Sequence, residues 1–454
     1  MKRTFTAILA AAMLCLTACG GAASSTTDAV SSSAETSRED SKEDSKAVTE
    51  RKEESSAAPA TTTLPTLDPH AGATVVKAVA GGAFSGALTE NGDLYLWGAN
   101  GRGQCGDGTG EHVTQPKRIM EHVKDFALTK NGSHGGAITD SGDLWCWGFN
   151  TEYQVGNSSH KDALSPVKVL TNVISFDCNG FRSAAVTADG ALYVWGQAHI
   201  TGDNKRLFFN TFIPAEPTKV INENCKAVFL GDEHAALLNS SGTLYLWGEN
   251  TCGEVGNGSR DFVATPVKVM EHVKSVSLGH EKTAAITEDG DLYVWGENQK
   301  HNFVADESAP ELITEPYKLM EHVQSVAVER YVQSAVTEDG QLMMWGYNLD
   351  SLLGDKTKTD RFVPFKLADG IAQTSVSDGN TAICSKDGSF YIWGKNDMYQ
   401  IGDGTTDFVY TPKLIPIPDE APAAPAQTET TQAAEGTEST TETDLTTEAT
   451  TAEE

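Results

Sequence analysis

Basic residues are scarce in this sequence. Its 454 residues include 34 lysines and arginines against 63 aspartates and glutamates, which gives a formal net charge of −29. Nucleic-acid-binding proteins need a positive surface that neutralises phosphates, so a charge of this sign argues against a nucleic-acid partner. It also argues against adsorption to an anionic membrane through side chains.

Motifs that would identify a metal site or an enzyme are also missing. The eight cysteines include no Cys-x-x-Cys pair, which excludes zinc-ribbon and thioredoxin-like sites. The sequence contains no G-x-S-x-G, no H-E-x-x-H, no P-loop and no dinucleotide-binding glycine pattern after a strand. We therefore expect neither a metal nor a cofactor, and we favour a binding protein over an enzyme.

The apolar stretch near the N-terminus, Phe5–Leu16, is shorter than the roughly 20 residues that span a bilayer. It follows Lys2 and Arg3, as in a secretory signal peptide. The next residues, Leu16-Thr17-Ala18-Cys19, resemble the bacterial lipobox. That resemblance implies a signal peptide at 1–18, a diacylglycerol on Cys19 and a protein anchored outside the bacterial cytoplasm. The alternative is an ordinary signal peptide with an incidental cysteine.

Both ends of the chain are polar and of low complexity. Residues 19–72 and 419–454 consist mainly of Ser, Thr, Ala and acidic residues, which predicts a disordered tether and a disordered acidic tail. The tail carries a net charge of −10, the tether −5 and the signal peptide +2, so the body at 73–418 carries −16. The body is therefore acidic, but it carries only about half of the net charge of the whole chain.

The tryptophans define a repeat. Seven of the eight lie in a Trp-Gly pair, at Trp97, Trp147, Trp195, Trp247, Trp295, Trp345 and Trp393. Their spacing of 48 to 52 residues fits seven units into the body with no remainder. A fixed period of this size indicates a repeat architecture.

Other residues keep register with each tryptophan. A glycine lies five residues before it, usually after Asn, Asp or Ser, and we expect a type I′ hairpin turn there. Strands flank this turn, as in Ala284–Thr287 and Leu292–Trp295, another strand precedes them, and a proline about twenty residues after the tryptophan opens an edge strand. Four strands in each of seven units predict an all-β, seven-bladed β-propeller.

The phase of the repeats suggests how the ring closes. The first unit begins at Val75 without a proline strand before it, and the last ends with a proline strand at Pro412–Ile415. We expect this last strand to pair with the first blade, because an open array would leave an unpaired edge at each end.

The repeat resembles that of the regulator of chromosome condensation family. The pattern is clearest at His234–Gly256, which contains His-Ala-Ala-Leu-Leu, Ser-Gly, Trp-Gly-Glu-Asn and Glu-Val-Gly. The resemblance implies a seven-bladed propeller. The eukaryotic prototype is a guanine-nucleotide exchange factor that also binds chromatin, but an acidic, exported chain does not favour that activity. The loops at 197–216 and 297–315 depart from the repeat and indicate local specialisation.

Strand direction places one set of loops around the central axis on what we call the top face. The ring thirteen residues before each tryptophan comprises Phe84, His134, Arg182, His234, Lys282, Val332 and Asn380. Phe181, His280, Arg330 and Tyr331 are neighbours in the same loops, and the irregular loop adds Lys205, Arg206, Phe208 and Phe209. Apart from Val332 and Asn380, these are the predicted binding residues. A structural role is the favoured alternative for His134 and His234.

Two further groups are interpreted structurally. His122, His272 and His322 recur in Met-Glu-His-Val, in different blades, and are expected to take a positive φ in a tight turn. The six cysteines after Cys19 are expected to be buried thiols. The function that the sequence favours is a lipid-anchored surface module that binds an extracellular protein or a glycan through its top face. A polysaccharide-active enzyme with a site in the central channel and an exchange-factor-like activity are the alternatives.

Overall fold

The computed structural model describes residues 65–130, 134–196, 215–348 and 351–419. The predicted signal peptide, the lipidation site Cys19 and most of the predicted tether and tail lie outside these ranges. Within them, no helix is both long enough and apolar enough to cross a bilayer.

The fold is the predicted seven-bladed β-propeller, and each blade is an antiparallel sheet of four consecutive strands. The blades are, in chain order, β1–β4 (Val75–Ala80, Phe84–Thr89, Leu94–Gly98, Val113–Met120), β5–β8 (Val123–Leu128, His134–Thr139, Leu144–Gly148, Ala163–Leu170), β9–β12 (Val173–Asn179, Arg182–Thr187, Leu192–Gly196, Thr218–Ile221), β13–β16 (Cys225–Leu230, His234–Asn239, Leu244–Gly248, Val263–Met270), β17–β20 (Val273–Leu278, Lys282–Thr287, Leu292–Glu297, Leu312–Met320), β21–β24 (Val323–Val328, Val332–Thr337, Leu342–Gly346, Arg361–Ala368) and β25–β28 (Ile371–Val376, Asn380–Ser385, Phe390–Gly394, Val409–Leu414). A 3-10 turn at Gln299–His301 interrupts one top loop.

The first strand of each blade lines the axis and the fourth lies at the rim. First strands of neighbouring blades contact one another, whereas each fourth strand pairs only with the third strand of its own blade. The second and third strands are almost entirely buried between adjacent blades, as the apolar character of both faces of the third strand predicts.

The tryptophans join each blade to the one before it. In six blades the indole Nε1 donates to a backbone carbonyl in the top loop of the preceding blade, as from Trp147 to Gln104 at 2.7 Å and from Trp295 to Glu254 at 2.9 Å. In five of these six blades a glycine lies two residues after this acceptor, and there is no room for a side chain there. A Cβ on Gly256 would lie 2.6 Å from Trp295 Nε1. The repeat therefore encodes the contact between blades as well as the blade itself.

The hairpin between the second and third strands differs from the expected turn type. At Gly92 the φ angle is +81°, but Asn91 does not have a positive φ. The Gly92 amide donates to the Thr89 carbonyl at 3.0 Å, and the Thr89 amide donates to Asp93. This is a type I turn followed by a left-handed glycine, which makes a three-residue hairpin loop rather than a two-residue type I′ loop.

Ring closure also differs from the expectation. The last proline strand, β28, pairs with β27 of its own blade, and blade 1 has its own fourth strand, β4. The expectation was wrong because a cyclic repeat has no origin in the sequence, so the period does not show where a blade starts. The residues after β28 cross to the start of the chain instead. The Ala73 amide donates to the Ile417 carbonyl at 2.8 Å, and Gly72 and Ile417 form a parallel bridge.

Side chains close the same junction between blades 7 and 1. Gln373 of β25 accepts from the Ala78 amide at 2.8 Å and donates to the Ala78 carbonyl at 3.0 Å. Residues 65–72, which the composition assigned to the tether, pack against blade 7: His70 is 3.1 Å from the Ser389 hydroxyl, and Tyr391 donates to the Asp68 carbonyl.

Candidate functional site

The top face is the end of the propeller where the first strand of each blade turns into the second. Seven inner loops surround the mouth of the central channel there. They are residues 81–83, 129–133, 180–181, 231–233, 279–281, 329–331 and 377–379. Five have three residues and the loop of blade 3 has two, whereas the loop of blade 2 has five, of which 131–133 are outside the described residues. The long loops after Trp-Gly open on the same face.

The predicted ring thirteen residues before each tryptophan is not on this surface. Each member begins the second strand of its blade and is at most 5% exposed. The ring comprises Phe84, His134, Arg182, His234, Lys282, Val332 and Asn380. The prediction that this ring lies exposed on the binding surface was therefore wrong. The first residue of each second strand faces a neighbouring blade instead of solvent.

His134 and His234 connect adjacent blades. Their Nε2 atoms lie 3.0 Å from the Ser183 hydroxyl and 2.9 Å from the Thr283 hydroxyl. Each hydroxyl donates to a backbone carbonyl at 2.8 Å, so it accepts from the histidine. Burial lowers the pKa of both histidines to about 3. Both are neutral parts of the framework, as the structural interpretation predicted.

Arg182 and Lys282 are buried cations of the same ring. The Arg182 guanidinium donates to the backbone carbonyls of Gly231, at 3.1 Å, and Asp232 in the next blade. The Lys282 ammonium donates to the Arg330 carbonyl and forms an ion pair with Glu297, both at 2.8 Å. These contacts replace the lost hydration and hold the inner loops of the next blade in place.

The neighbouring loop residues are accessible. Phe181 is 43% exposed and packs against Phe149, with 6.0 Å between ring centroids. His280, Arg330 and Tyr331 are half-buried, and the Arg330 guanidinium lies 5.3 Å from the centre of the Tyr331 ring. The four predicted residues of the irregular loop, Lys205, Arg206, Phe208 and Phe209, lie outside the described residues.

His280 lies between two carboxylates. Its Nε2 is 3.9 Å from Asp232, and its Nδ1 is 3.8 Å from Glu281. Burial disfavours protonation, but the charges of Glu281 and Asp232 outweigh it and raise the pKa of His280 to about 9. Asp232 is also held by the side-chain amide of Asn179, at 2.8 Å. The loops of blades 3, 4 and 5 are thereby joined by polar contacts.

Glu329 and Lys130 lie at the same mouth. Glu329 is buried, and its carboxylate is 3.8 Å from the Lys130 ammonium. Burial raises the pKa of Glu329 to about 8, with Asp378 and Asp232 adding to the rise and Lys130 opposing it. Lys130 also donates to two backbone carbonyls on the far side of the mouth.

Family comparisons identify the repeat. The model of the regulator of chromosome condensation (RCC1) repeat matches residues 91–129, 141–186 and 241–286, and a second model of the same repeat matches 225–254 and 273–302. The matched segments cover units of the seven-bladed ring described above. The chain therefore contains repeats of the regulator of chromosome condensation type.

Relatives of this repeat family match in part. Human E3 ubiquitin-protein ligase HERC2 is 24% identical over 207 residues, which are 43% of this chain and 4% of the ligase. The secretion-regulating guanine nucleotide exchange factor of Mus musculus is 25% identical over 217 residues, or 43% of this chain and 45% of that protein. The matches thus span less than half the length of these curated relatives.

Solved structures agree on the fold. Human WBSCR16 has a TM-score of 0.61 at 17% identity, covering 71% of this chain and 93% of that chain. Prp20p of Saccharomyces cerevisiae, described with its binding to Gsp1p and histones, has a TM-score of 0.61 at 21% identity, covering 71% and 85%. At these identities the likeness establishes the architecture alone.

Within this RCC1-repeat propeller, sequence reasoning missed Lys130, Glu329 and Asp378. A signal for Lys130 was present, since the first strand begins 24 residues before Trp147 but 22 before every other repeat tryptophan. Glu329 carried no such signal, because its position holds Gly, Thr, Asn or Ser in the other blades and only the fold shows that it faces the mouth.

The remaining predictions concern structural residues. His122, His272 and His322 lie in bottom turns with φ of 58°, 59° and 58°, which confirms the tight-turn interpretation. The six cysteines are free thiols, five of them buried and Cys252 half-buried. Among the described residues, no three His, Cys, Asp or Glu side chains are grouped as metal ligands.

Proposed function

We propose that this propeller is a protein-binding module whose contact surface is the top face around the channel mouth. The observation that carries the proposal is the convergence of Phe181, His280, Arg330 and Tyr331 on that face, from loops that the buried ring holds in place. Exposed aromatic residues and arginine on a preorganised surface are typical of the residues that contribute most to protein interfaces.

The relatives favour a protein partner over a nucleic acid. The yeast structure is described with its binding to a protein, Gsp1p, and to histones, and other relatives are named as ligases or an exchange factor. The net charge of this chain argues against nucleic acid. A glycan remains the second ligand class because the same face offers aromatic rings and carboxylates.

The positions of the described chain ends support a lipid-anchored display of this face. The first strand of blade 1 starts at the bottom face, and residues 415–418 lie beside Gly72 at the same end. A tether leading to a lipid on Cys19 would therefore enter at the bottom and leave the top face accessible. We propose an extracytoplasmic location on this basis and on the lipobox-like sequence.

The binding proposal is tested by affinity capture with the full-length chain. Phe181→Ala, Arg330→Ala and Tyr331→Ala are combined in one variant of the top face. Lys226→Ala with Lys274→Ala is the matched control, since both lysines are exposed near the bottom ends of first strands. We expect a partner retained by the wild type and the control to be lost from the top-face variant.

The same experiment can reject the proposal. Equal capture of the partner by the top-face variant and the wild type would place the interface elsewhere. Loss of capture by the Lys226 and Lys274 control alone would place it on the opposite face. Parallel binding of the three proteins to a glycan array distinguishes a glycan ligand from a protein.

The anchor is tested independently by labelling cells with radioactive palmitate. We expect the label on the wild-type chain and none on Cys19→Ala. An unlabelled wild type would contradict the lipoprotein proposal and would make the exchange-factor-like activity of the family worth assaying. An enzyme acting in the central channel is disfavoured by Lys130, which crosses the mouth.

A further inference from the structure

The Lys130 side chain spans the mouth of the channel. Its ammonium donates to the Leu278 carbonyl at 2.7 Å and to the Val328 carbonyl at 3.2 Å. These carbonyls end the first strands of blades 5 and 6, whereas Lys130 follows the first strand of blade 2. In a ring of seven, blades 5 and 6 are the two that face blade 2, so the contact crosses the ring.

The acceptors suit a single ammonium group. Two of the three donors of the –NH₃⁺ group are used by the two carbonyls, and the Glu329 carboxyl group lies 3.8 Å away, within ion-pair distance but beyond hydrogen-bond distance. The Glu329 side chain is 4% exposed, so its interaction with a cation is weakly screened by water. A lysine loses about 2 kcal/mol of rotamer freedom when it is held in this way, which such contacts must offset.

The charged side chains around the site are of both signs. The Lys130 charge acts on Asp177 and Glu329, Lys77 also acts on Asp177, and the charges of Asp232 and Asp378 act on Glu329. His280, Arg330 and Lys395 act on Asp378. These side chains carry no excess of negative charge, so what favours an ammonium group at this point is the pair of carbonyls with the Glu329 carboxyl group beside them.

The loop that carries Lys130 is the exceptional one. Five residues join the first and second strands of blade 2, against two in blade 3 and three in each of the other blades. The equivalent positions hold Gly82, Gly180, Asp232, His280, Arg330 and Asp378, so no other blade supplies a lysine. The ammonium contact is therefore specific to this blade instead of being a general property of the repeat.

We propose that the channel mouth is a recognition site for a lysine side chain of the partner protein, and that Lys130 is its internal occupant. This inference rests on the proposed protein-binding function and names the group that is recognised. A partner lysine binds between the carbonyls of Leu278 and Val328 and the Glu329 carboxylate, where it displaces Lys130. Because an intramolecular ligand competes at high effective concentration, Lys130 lowers the apparent affinity for the partner.

The test uses a small probe and the full-length chain. Nα-acetyl-lysine N-methylamide is titrated into the wild type, Lys130→Ala, Lys130→Ala with Glu329→Gln, and Lys226→Ala, and binding is followed by calorimetry and NMR. The titrations are made at pH 9, which is above the pKa of about 8 of Glu329 and below that of a lysine ammonium group. We expect Lys130→Ala to bind at least tenfold more tightly than the wild type. We expect the double variant to lose that gain and Lys226→Ala to match the wild type. The Nε-acetylated probe, which lacks the charge, should not bind to any of them.

Two results would overturn the proposal: Lys130→Ala binding no better than the wild type, or binding the acetylated probe equally well. If Lys130→Ala is unstable, the same site is measured through its melting temperature. Methylammonium should then raise that temperature for Lys130→Ala but not for the double variant, and equal shifts in both would reject the site. The capture experiment with the Phe181, Arg330 and Tyr331 variant does not depend on this probe, so the two proposals fail separately.

Discussion

His134 and His234 show how burial between blades sets the chemistry of single residues. Both are neutral, each donates to a hydroxyl of the next blade, and burial holds their pKa near 3. In the unfolded chain the pKa of a histidine is about 6.5. The folded state therefore binds fewer protons than the unfolded state between these two values, and its stability falls as the pH drops below about 6.5.

His134→Asn tests this at one of the two sites. Asparagine is the residue that blade 7 carries at the same position, Asn380, so it is compatible with the fold. We expect the slope of the unfolding free energy between pH 6.5 and 4.5 to decrease by up to about 1.4 kcal/mol per pH unit. Urea unfolding of both proteins at a series of pH values measures this slope. An unchanged slope would mean that His134 is charged in the folded state.

Glu329 has the opposite effect on the pH dependence of the unfolding free energy. Burial raises its pKa to about 8, above its usual value of 4.5, so the folded state retains a proton that the unfolded state loses. The resulting stability is complete below pH 4.5 and is lost as the pH rises through 8. We expect Glu329→Gln to be less sensitive than the wild type between pH 6 and 9 in the same unfolding measurement. Parallel curves for the two proteins would contradict the assignment.

The blade is the element at which sequence reasoning was most successful. The Trp-Gly spacing, the turn glycine and the proline strand predicted seven four-stranded blades, because these residues act through local backbone geometry and periodic burial. The type of turn was missed, since Asn91-Gly92 is compatible with both a two-residue and a three-residue hairpin loop. The burial of the ring was not predicted, because a charged residue such as Lys282 is normally exposed. Only the folded structure shows the carbonyl and the carboxylate that bind its ammonium group.

The contact between blades is tested at the glycine that approaches a tryptophan. Gly256→Ala would place a Cβ 2.6 Å from Trp295 Nε1 at a φ of +77°. Gly370→Ala is the matched control, because Gly370 has a φ of +76° and a Cβ added there would meet nothing within 4 Å.

We expect Gly370→Ala to reduce the unfolding free energy by about 1 to 2 kcal/mol, the usual cost of a left-handed residue with a Cβ. The loss of unfolding free energy for Gly256→Ala should exceed that for Gly370→Ala by at least about 1 kcal/mol, because the ring of Trp295 must also move. Thermal and urea unfolding of the two variants provide the comparison. Equal losses would show that the close approach to the indole contributes nothing.

At the scale of the whole molecule, the ring is closed by short segments outside the blades. Residues 415–418 cross from blade 7 to Gly72 and Ala73, and Ile415 and Ile417 are buried there. The sequence indicated that the two ends meet but not which strand pairs with which, because periodicity is the same for every starting point of the repeat. We expected the last strand to pair with the first blade. Instead, side-chain and backbone contacts join two complete blades.

Two truncations separate the role of this segment from that of the acidic tail. Ending the chain after Asp419 keeps Ile415 and Ile417, whereas ending it after Leu414 removes both. Each buried isoleucine contributes about 1.5 to 3 kcal/mol, so the shorter chain should lose about 3 to 6 kcal/mol of unfolding free energy. The longer one should match the full chain. Equal melting temperatures for both truncations would contradict this account of ring closure.

The top face around the channel mouth is the surface that we propose binds the partner. Hydrogen–deuterium exchange on the full-length chain, with and without the captured partner, tests it directly, because it reports both faces in a single experiment. We expect slower exchange at the inner loops 180–181, 231–233, 279–281 and 329–331, and no change at the bottom turns around His122, His272 and His322. Protection confined to the bottom turns, with the inner loops unchanged, would contradict it.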